Sequence, residues 1–273
     1  MITAISPIDG RYASKVTDLT ECFSEYALLK NRVKVEVMWL IALCSEEQIA
    51  ECRVLTADEE QSLRRIVDNF TPAEAEKIKK IESVTNHDVK AVEYFLKEKM
   101  QEIGLERYLE FIHFGLTSQD INNTSVPLSL RDAILEQYLP LMEQLTGRLS
   151  HLQNEWKDIP MLARTHGQPA SPTRLGKEIK VFTERLSIQL DQLKNLPFSA
   201  KFGGATGNFN AHHAAYPNID WVHFANNFVN ETLGLDRSQV TTQIEHYDNL
   251  AATFDNFKRI NTILIDFCRD MWS

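Results

Sequence analysis

Four short polar clusters interrupt an otherwise amphipathic chain, and each could do chemistry. The first is Arg164–Thr165–His166–Gly167–Gln168–Pro169–Ala170, with Pro160 before it and Pro172 after it. A histidine between Thr, Gly and Gln in a proline-bounded loop is held in place and suits a core poorly. It can serve as a general acid or base near neutral pH. The second is Thr85–Asn86–His87–Asp88. A neutral imidazole at a helix start donates one hydrogen bond and accepts another, which suits holding a polar substrate. The same residues also read as a capping cluster with an incidental histidine. The third is Thr117–Ser118, whose hydroxyls and free backbone N–H groups make an anion site if a helix begins there; plain capping is the other reading. The fourth is Arg11–Tyr12, following Ser6–Pro7–Ile8–Asp9–Gly10. Its guanidinium offers a planar fork to carboxylate or phosphate, or is simply a surface group on an N-terminal arm.

Other chemistries find little support. His212–His213, His223 and His246 lack an HExxH pattern and any clear ligand spacing, so no metal is expected. Gly203–Gly204–Ala205–Thr206–Gly207 is neither GxGxxG nor a P-loop, and there is no GxSxG. Cys22, Cys44, Cys52 and Cys268 form no CxxC pair and read as small buried hydrophobes.

The elements that must position these clusters are helices. Glycine is scarce, with 10 residues in 273, roughly half the usual share of about 7%. That disfavours a hairpin-rich β protein. Thr56 with Glu59, Thr71–Pro72 with Glu74, and Thr117 with Asp120 read as helix starts, and Asn86 or Thr85 caps the segment carrying Val89, Val92, Phe95 and Leu96. Three long segments follow. Pro127 to Trp156 carries an apolar stripe that Pro140 should bend or split. Pro172 to Leu196 carries Leu175, Ile179, Phe182, Leu186, Leu190 and Leu193. Tyr247 to Trp272 carries Leu250, Phe254, Phe257, Ile260, Leu264, Phe267 and Met271. The expected fold is all-α: a long-helix bundle with a smaller helical N-terminal domain, and one short β-hairpin near 200–212. A loose boundary near 110 separates domains 1–110 and 111–273.

The formal charge of −9 repels nucleic acid on average, and a pocket for a small anion stays open. The longest apolar run, Val37 to Cys44, is far short of the roughly 18 residues of a membrane helix. No basic-then-apolar leader is visible at the N-terminus, so a cytoplasmic protein without nucleic-acid or membrane partners is expected. The final helix reaches Ser273 without a stop signal, which reads as a truncated chain.

Taken together, the motifs resemble the adenylosuccinate lyases of the fumarase/aspartase superfamily. The matching stretches are Ser6 to Tyr12, Thr85 to Leu96, Phe111 to Phe114 with Thr117–Ser118, Arg164 to Ala170, Thr241 to Glu245, and Asn261 to Asp266. The resemblance implies long parallel-packed helices in a homotetramer whose active sites are shared between subunits. It implies β-elimination of fumarate from succinylated purine nucleotides, with no metal or organic cofactor. By position, His166 is similar to the family's general acid and His87 to its partner, flanked by Asn86 and Asp88. Arg11 and Tyr12 are similar to phosphate contacts, Thr117 and Ser118 to carboxylate binders, and Thr165 and Gln243 to further substrate contacts. Superfamily relatives acting on argininosuccinate, aspartate or malate are the alternative, as is a non-catalytic helical scaffold. The family's Ser-Ser-x-Met-Pro-x-Lys-x-Asn-Pro loop, which supplies the base, has no match here. On this reading the 273-residue chain by itself is inactive; turnover of adenylosuccinate by the purified chain would contradict it.

Overall fold

In a computed structural model, residues 2–273 are described. Helices carry nearly all the regular structure, beside four short strands. The residues fall into two compact units, one running up to Ala133 with Phe198–His246 added, the other made of Ile134–Pro197 and Tyr247–Ser273.

The first unit is built on α2 (Glu25–Ser45), which follows a single turn, α1 (Thr20–Phe23). Helix α2 is buried on most sides, from Leu29 through Val33, Val37 and Leu40 to Cys44. Its first half carries Glu25, Lys30, Arg32, Lys34 and Glu36, but from Val37 to Cys44 it is apolar on every side, which puts that stretch in the middle of the core. Trp39 is its anchor: its ring packs against Phe202, Trp221, Phe224 and Phe228, and its indole N–H donates to the Phe114 carbonyl at 3.1 Å. Around α2 pack α3 (Ala57–Asp68), α4 (Pro72–Thr85), α5 (Asp88–Glu102) and α6 (Ser118–Asp132). The expected starts of α3, α4 and α6 are present. The Thr56 N–H donates to Glu59 at 2.8 Å, Thr71 N–H to Glu74 at 3.0 Å and Thr117 N–H to Asp120 at 2.8 Å. Each bond satisfies a donor that the helix itself leaves unpaired.

Two expectations need correction. The helix expected from Pro127 begins nine residues earlier, at Ser118, and carries Pro127 inside it. Pro140 does split the long segment: a π turn, Ala133–Tyr138, precedes α7 (Leu139–Glu155). Proline has no N–H and crowds the carbonyl four residues back, so a wider turn before it relieves both. The hairpin, expected near 200–212, lies instead at β1 (Pro160–Thr165) and β2 (Gln168–Arg174). Near 200 there is only β3 (Ser199–Ala200), which pairs in parallel with β4 (Asp236–Arg237).

In the second unit, α7, α8 (Leu175–Lys194) and α11 (Asp248–Trp272) pack side by side. The α8 stripe is buried as expected at Ile179, Phe182, Leu186, Leu190 and Leu193. Gly176 allows the start of α8 to approach α7, since a Cβ there would sit 2.3 Å from the Gln153 carbonyl oxygen. On α11 the buried positions are Thr253, Asn256, Ile260 and Ile263, while Phe254 and Met271 of the expected stripe are exposed. The amide of Asn256 donates to the Gln189 carbonyl at 3.1 Å, which fixes that rotation of the helix.

The first unit also holds two short helices, α9 (Asn210–Ala215) and α10 (Trp221–Asn226). His212 of α9 is fully buried among Trp39, Phe114, Phe209 and Trp221, and neither ring nitrogen has a hydrogen-bond partner among the described residues. Burial pushes its pKa down from near 6.5 to about 4, against the attraction of Asp120. The unfolded chain therefore binds a proton that the folded chain refuses. Stability is full above pH 6.5 and falls as pH drops toward 4, by about 3 kcal/mol for a shift of this size. Denaturant titrations from pH 7 to 4 should show this loss, and His212→Phe should flatten it.

Candidate active site

The site in the first unit is made where helix starts converge. Asn86 closes α4 in the left-handed conformation, φ 52°, with its N–H on the Glu82 carbonyl at 2.8 Å. His87, one residue on, is the N-cap of α5, a role the sequence reading gave to Asn86 or Thr85. Its Nδ1 accepts the Lys90 backbone N–H at 3.1 Å. An accepting Nδ1 is bare, so the proton of the neutral ring sits on Nε2. That Nε2 faces Ser118 Oγ at 3.5 Å, a long contact that leaves both groups weakly engaged. His87 is half exposed, so a solute can reach it.

Beneath the pair lies Arg32, an arginine on α2 with 8% of its surface exposed. Its guanidinium donates to Asp88 at 2.7 Å and to Asn122 at 3.0 Å, and so ties α5 and α6 to α2. Burial pushes the Asp88 carboxyl up, but the Arg32 charge and the Val89 N–H hold it below its ordinary value. Asp88 is thus an anion that orients, rather than a group poised to carry a proton. One turn along α2, fully buried Glu36 accepts from the backbone N–H of His113 at 3.1 Å and meets its Nδ1 at 2.6 Å. Burial works against charge on His113, yet Glu36 raises its pKa overall. That pair fixes the loop entering α6. The sequence reading missed Arg32 and Glu36. Helix α2 also carries Glu25, Lys30 and Lys34, so no local signal singled out Arg32 and Glu36 as the buried charges.

The N-terminus of α6 is set by Asp120. Its Oδ2 accepts the Thr117 N–H and hydroxyl, at 2.8 and 3.1 Å. Its Oδ1 accepts Lys201 Nζ at 2.7 Å and the N–H groups of Gly203 and Gly204 at 2.8 and 3.1 Å. The Thr117 hydroxyl is therefore engaged, and Ser118 is the hydroxyl of the pair that points toward His87. The segment with Gln243 is fastened to the same helix: the Glu245 N–H donates to Asn123 at 2.9 Å, and Gln243 is exposed. Gly207 lies so close to this segment that a Cβ would meet the Thr241 carbonyl at 2.6 Å.

Arg11 and Tyr12 lie on an exposed arm, with the guanidinium 5.4 Å from the Tyr12 ring centre. Among the described residues no hydrogen bond or ion pair joins them to the His87–Ser118 pair.

In the second unit, Thr165 ends β1, and His166 and Gly167 form the two-residue tip of the hairpin with φ 51° and 73°. Both residues being left-handed is the signature of a type I′ turn, which matches the twist of paired strands. Glycine takes that conformation freely and histidine only under constraint. The result is an imidazole held out at a strand end, exposed with its neighbours Thr165 and Gln168. Among the described residues no three His, Cys, Asp or Glu side chains are grouped to hold a metal, and no helix is long and apolar enough to cross a membrane.

A family model described as Lyase matches residues 10–273. The chain is 53% identical to an adenylosuccinate lyase of Dictyostelium discoideum, over all of this chain and 60% of that protein. It is 51% identical to that of Haemophilus influenzae and 50% identical to that of Escherichia coli K12, in each case over 99% of this chain and 59% of the relative. The chain thus spans about 60% of the length of these relatives. Among solved structures, a fumarate lyase from Mesorhizobium sp. BNC1 superposes with a TM-score of 0.73 at 20% identity, over 93% of this chain and 56% of that one. A 3-carboxy-cis,cis-muconate lactonizing enzyme from Pseudomonas putida gives 0.71 at 20% identity, over 93% and 55%. At that identity these two speak for the fold alone.

The capping role of His87 is separable from its Nε2. His87→Ala should cost about 1 kcal/mol through the lost cap, whereas His87→Asn, whose side-chain oxygen also caps, should cost no more than about 0.5 kcal/mol. Urea denaturation of the two variants checks this.

Proposed function

The chain belongs to the lyase family, and from that premise we propose that its parent protein is an adenylosuccinate lyase. It eliminates fumarate from adenylosuccinate, giving AMP, and from SAICAR, giving AICAR, in purine biosynthesis. The observation that carries the proposal is the meeting of two helix starts at His87 and Ser118, 3.5 Å apart, with Arg32 locked behind them. The names of the relatives point to the substrate.

The chemistry asks for such a site. A base removes a proton from the carbon beside a carboxylate, and the electron pair spreads into that carboxylate. Negative charge therefore grows on two oxygens before the C–N bond breaks. Fixed donors aimed at growing charge stabilise it most. The Ser118 hydroxyl, the free N–H groups of the first turn of α6 and the positive end of the helix dipole all offer this. Thr117 shares its hydroxyl with Asp120, so its part is mainly to hold Ser118 in register. His87 donates through Nε2 to substrate, with Asn86 and Asp88 beside it as binding and orienting neighbours. Arg11 and Tyr12 take the phosphate end, and Thr165 and Gln243 add substrate contacts. His166 is the general acid that protonates the departing nitrogen. We assign no base within these residues, and the scheme uses no metal or organic cofactor.

For the whole protein we further propose a cytoplasmic homotetramer with active sites shared between subunits. Its domains are 1–110 and a long-helix domain from 111 onward.

His166→Asn tests the proposal without disturbing the hairpin, because asparagine is favoured at that position of a type I′ turn. In the full-length protein, fumarate release from adenylosuccinate should fall by about 10²- to 10⁴-fold in kcat with helical content unchanged. Near-normal turnover would remove His166 from the acid role. No turnover by the unaltered full-length protein would sink the function itself.

A further inference from the structure

The sequence reading expected all four cysteines to be buried; Cys22, Cys44 and Cys52 are, but Cys268 is exposed near the end of α11. Two of the buried ones are not merely small hydrophobes. Cys44 lies in the last turn of α2 and Cys52 in the chain of turns leading to α3. Each has 1% of its surface exposed, and their Sγ atoms are 2.7 Å apart. That is closer to the about 2.05 Å of a disulfide bond than to an ordinary non-bonded pair of sulfurs.

We propose that Cys44 and Cys52 are an oxidisable dithiol, a site of reversible disulfide formation by a peroxide. One sulfur, as thiolate, attacks a peroxide oxygen and breaks the O–O bond, giving a sulfenic acid and water. The second sulfur attacks the sulfenic sulfur, the S–S bond forms and a second water leaves. Two thiol hydrogens and two electrons pass to the peroxide, so atoms and charge balance.

The surroundings explain why the resting state is the dithiol and how an oxidant enters. The hydrogen bond with Cys44, together with burial, pushes the Cys52 thiol up, so Cys52 keeps its proton in the closed structure. The connection from Glu46 to Leu55 is held by single-turn bonds, Ile49 N–H to Glu46 and Cys52 N–H to Ile49 at 3.1 and 3.0 Å. Two tyrosines fasten it from outside, Tyr216 to Glu51 at 2.9 Å and Tyr108 to the Arg53 carbonyl at 3.3 Å. A segment of this kind opens locally far more often than a core helix. Opening exposes Cys52 to the oxidant, and reclosing returns it to Cys44. The disulfide would then pin the connection to the end of α2.

The test is thiol mapping of the full-length protein. It is treated with hydrogen peroxide, the peroxide is removed, and the protein is unfolded in the presence of N-ethylmaleimide, which blocks every remaining thiol, before digestion. The expected result is a peptide joining Cys44 to Cys52, lighter by two hydrogens and released by dithiothreitol. The Tm of the oxidised protein should rise by a few degrees, because the link restricts the unfolded chain. Cys44→Ala should give no cross-link and should leave Cys52 as a sulfenic acid that dimedone traps. If that variant does not fold, the mapping of the unaltered protein decides alone. Recovering Cys44 and Cys52 as thiols at a dose that fully oxidises Cys268 would overturn the proposal. So would finding them as separate sulfinic acids, or cross-linked to Cys22 or Cys268.

Discussion

A buried carboxylate, Asp120, is the constraint on which the first unit depends. It is fully enclosed, and both of its oxygens are occupied. One closes the start of α6, and the other holds Lys201 and two glycine N–H groups some eighty residues away. A charge taken out of water is tolerable only when paired and hydrogen-bonded. The glycine loop is therefore bound to the first turn of α6 through this carboxylate, and Gly204 in it takes a left-handed φ of 79°. Burial lowers the Lys201 pKa while Asp120 raises it, the balance expected when two opposite charges are buried together. The same point of attachment sets Gly115, where a Cβ would strike the His212 ring at 2.5 Å. The aromatic core built on Trp39 and the entry to α6 thus lock against each other.

Arg32 and Glu36 extend the principle along α2. A central helix pays for buried charge only where the charge organises something else. Arg32 draws together the starts of α5 and α6, and Glu36 holds His113 in its left-handed turn, φ 59°. These contacts decide where His87 and Ser118 stand. Each side chain is itself half free, so precision comes from what is buried beneath. The hairpin that presents His166 uses a different device. An isolated two-stranded ribbon is marginal in water, and the paired left-handed tip is what defines the direction of its imidazole.

Much of this was legible in the chain. Capping boxes at Thr56, Thr71 and Thr117 were visible because a cap is a local arrangement of side chain and backbone, complete within four residues. The α8 stripe was visible because its period is helical and its buried face is apolar. The α11 stripe misled because Thr253 and Asn256 face inward while Phe254 faces out. A polar residue bonded to another helix, as Asn256 is to Gln189, leaves no trace in a hydrophobic period. The hairpin was misplaced for a related reason. Gly203 and Gly204 do turn the chain, but the turn folds against Asp120 and Gly115 rather than joining two paired strands. Histidine at a type I′ tip is not the residue a turn signal looks for.

The sequence by itself determined the helical class, the helix starts and the residue clusters that could do chemistry, because these follow from neighbours a few positions apart. It also carried the family resemblance, since motif spacing is a linear property. Only the tertiary structure decided that His87 rather than Asn86 caps α5, that Ser118 rather than Thr117 faces it, and that Arg32, Glu36 and Lys201 hold the arrangement. Apart from the His87 cap, which is local, those contacts join residues tens of positions apart. A buried charge looks like any other charge until the fold shows what it is paired with.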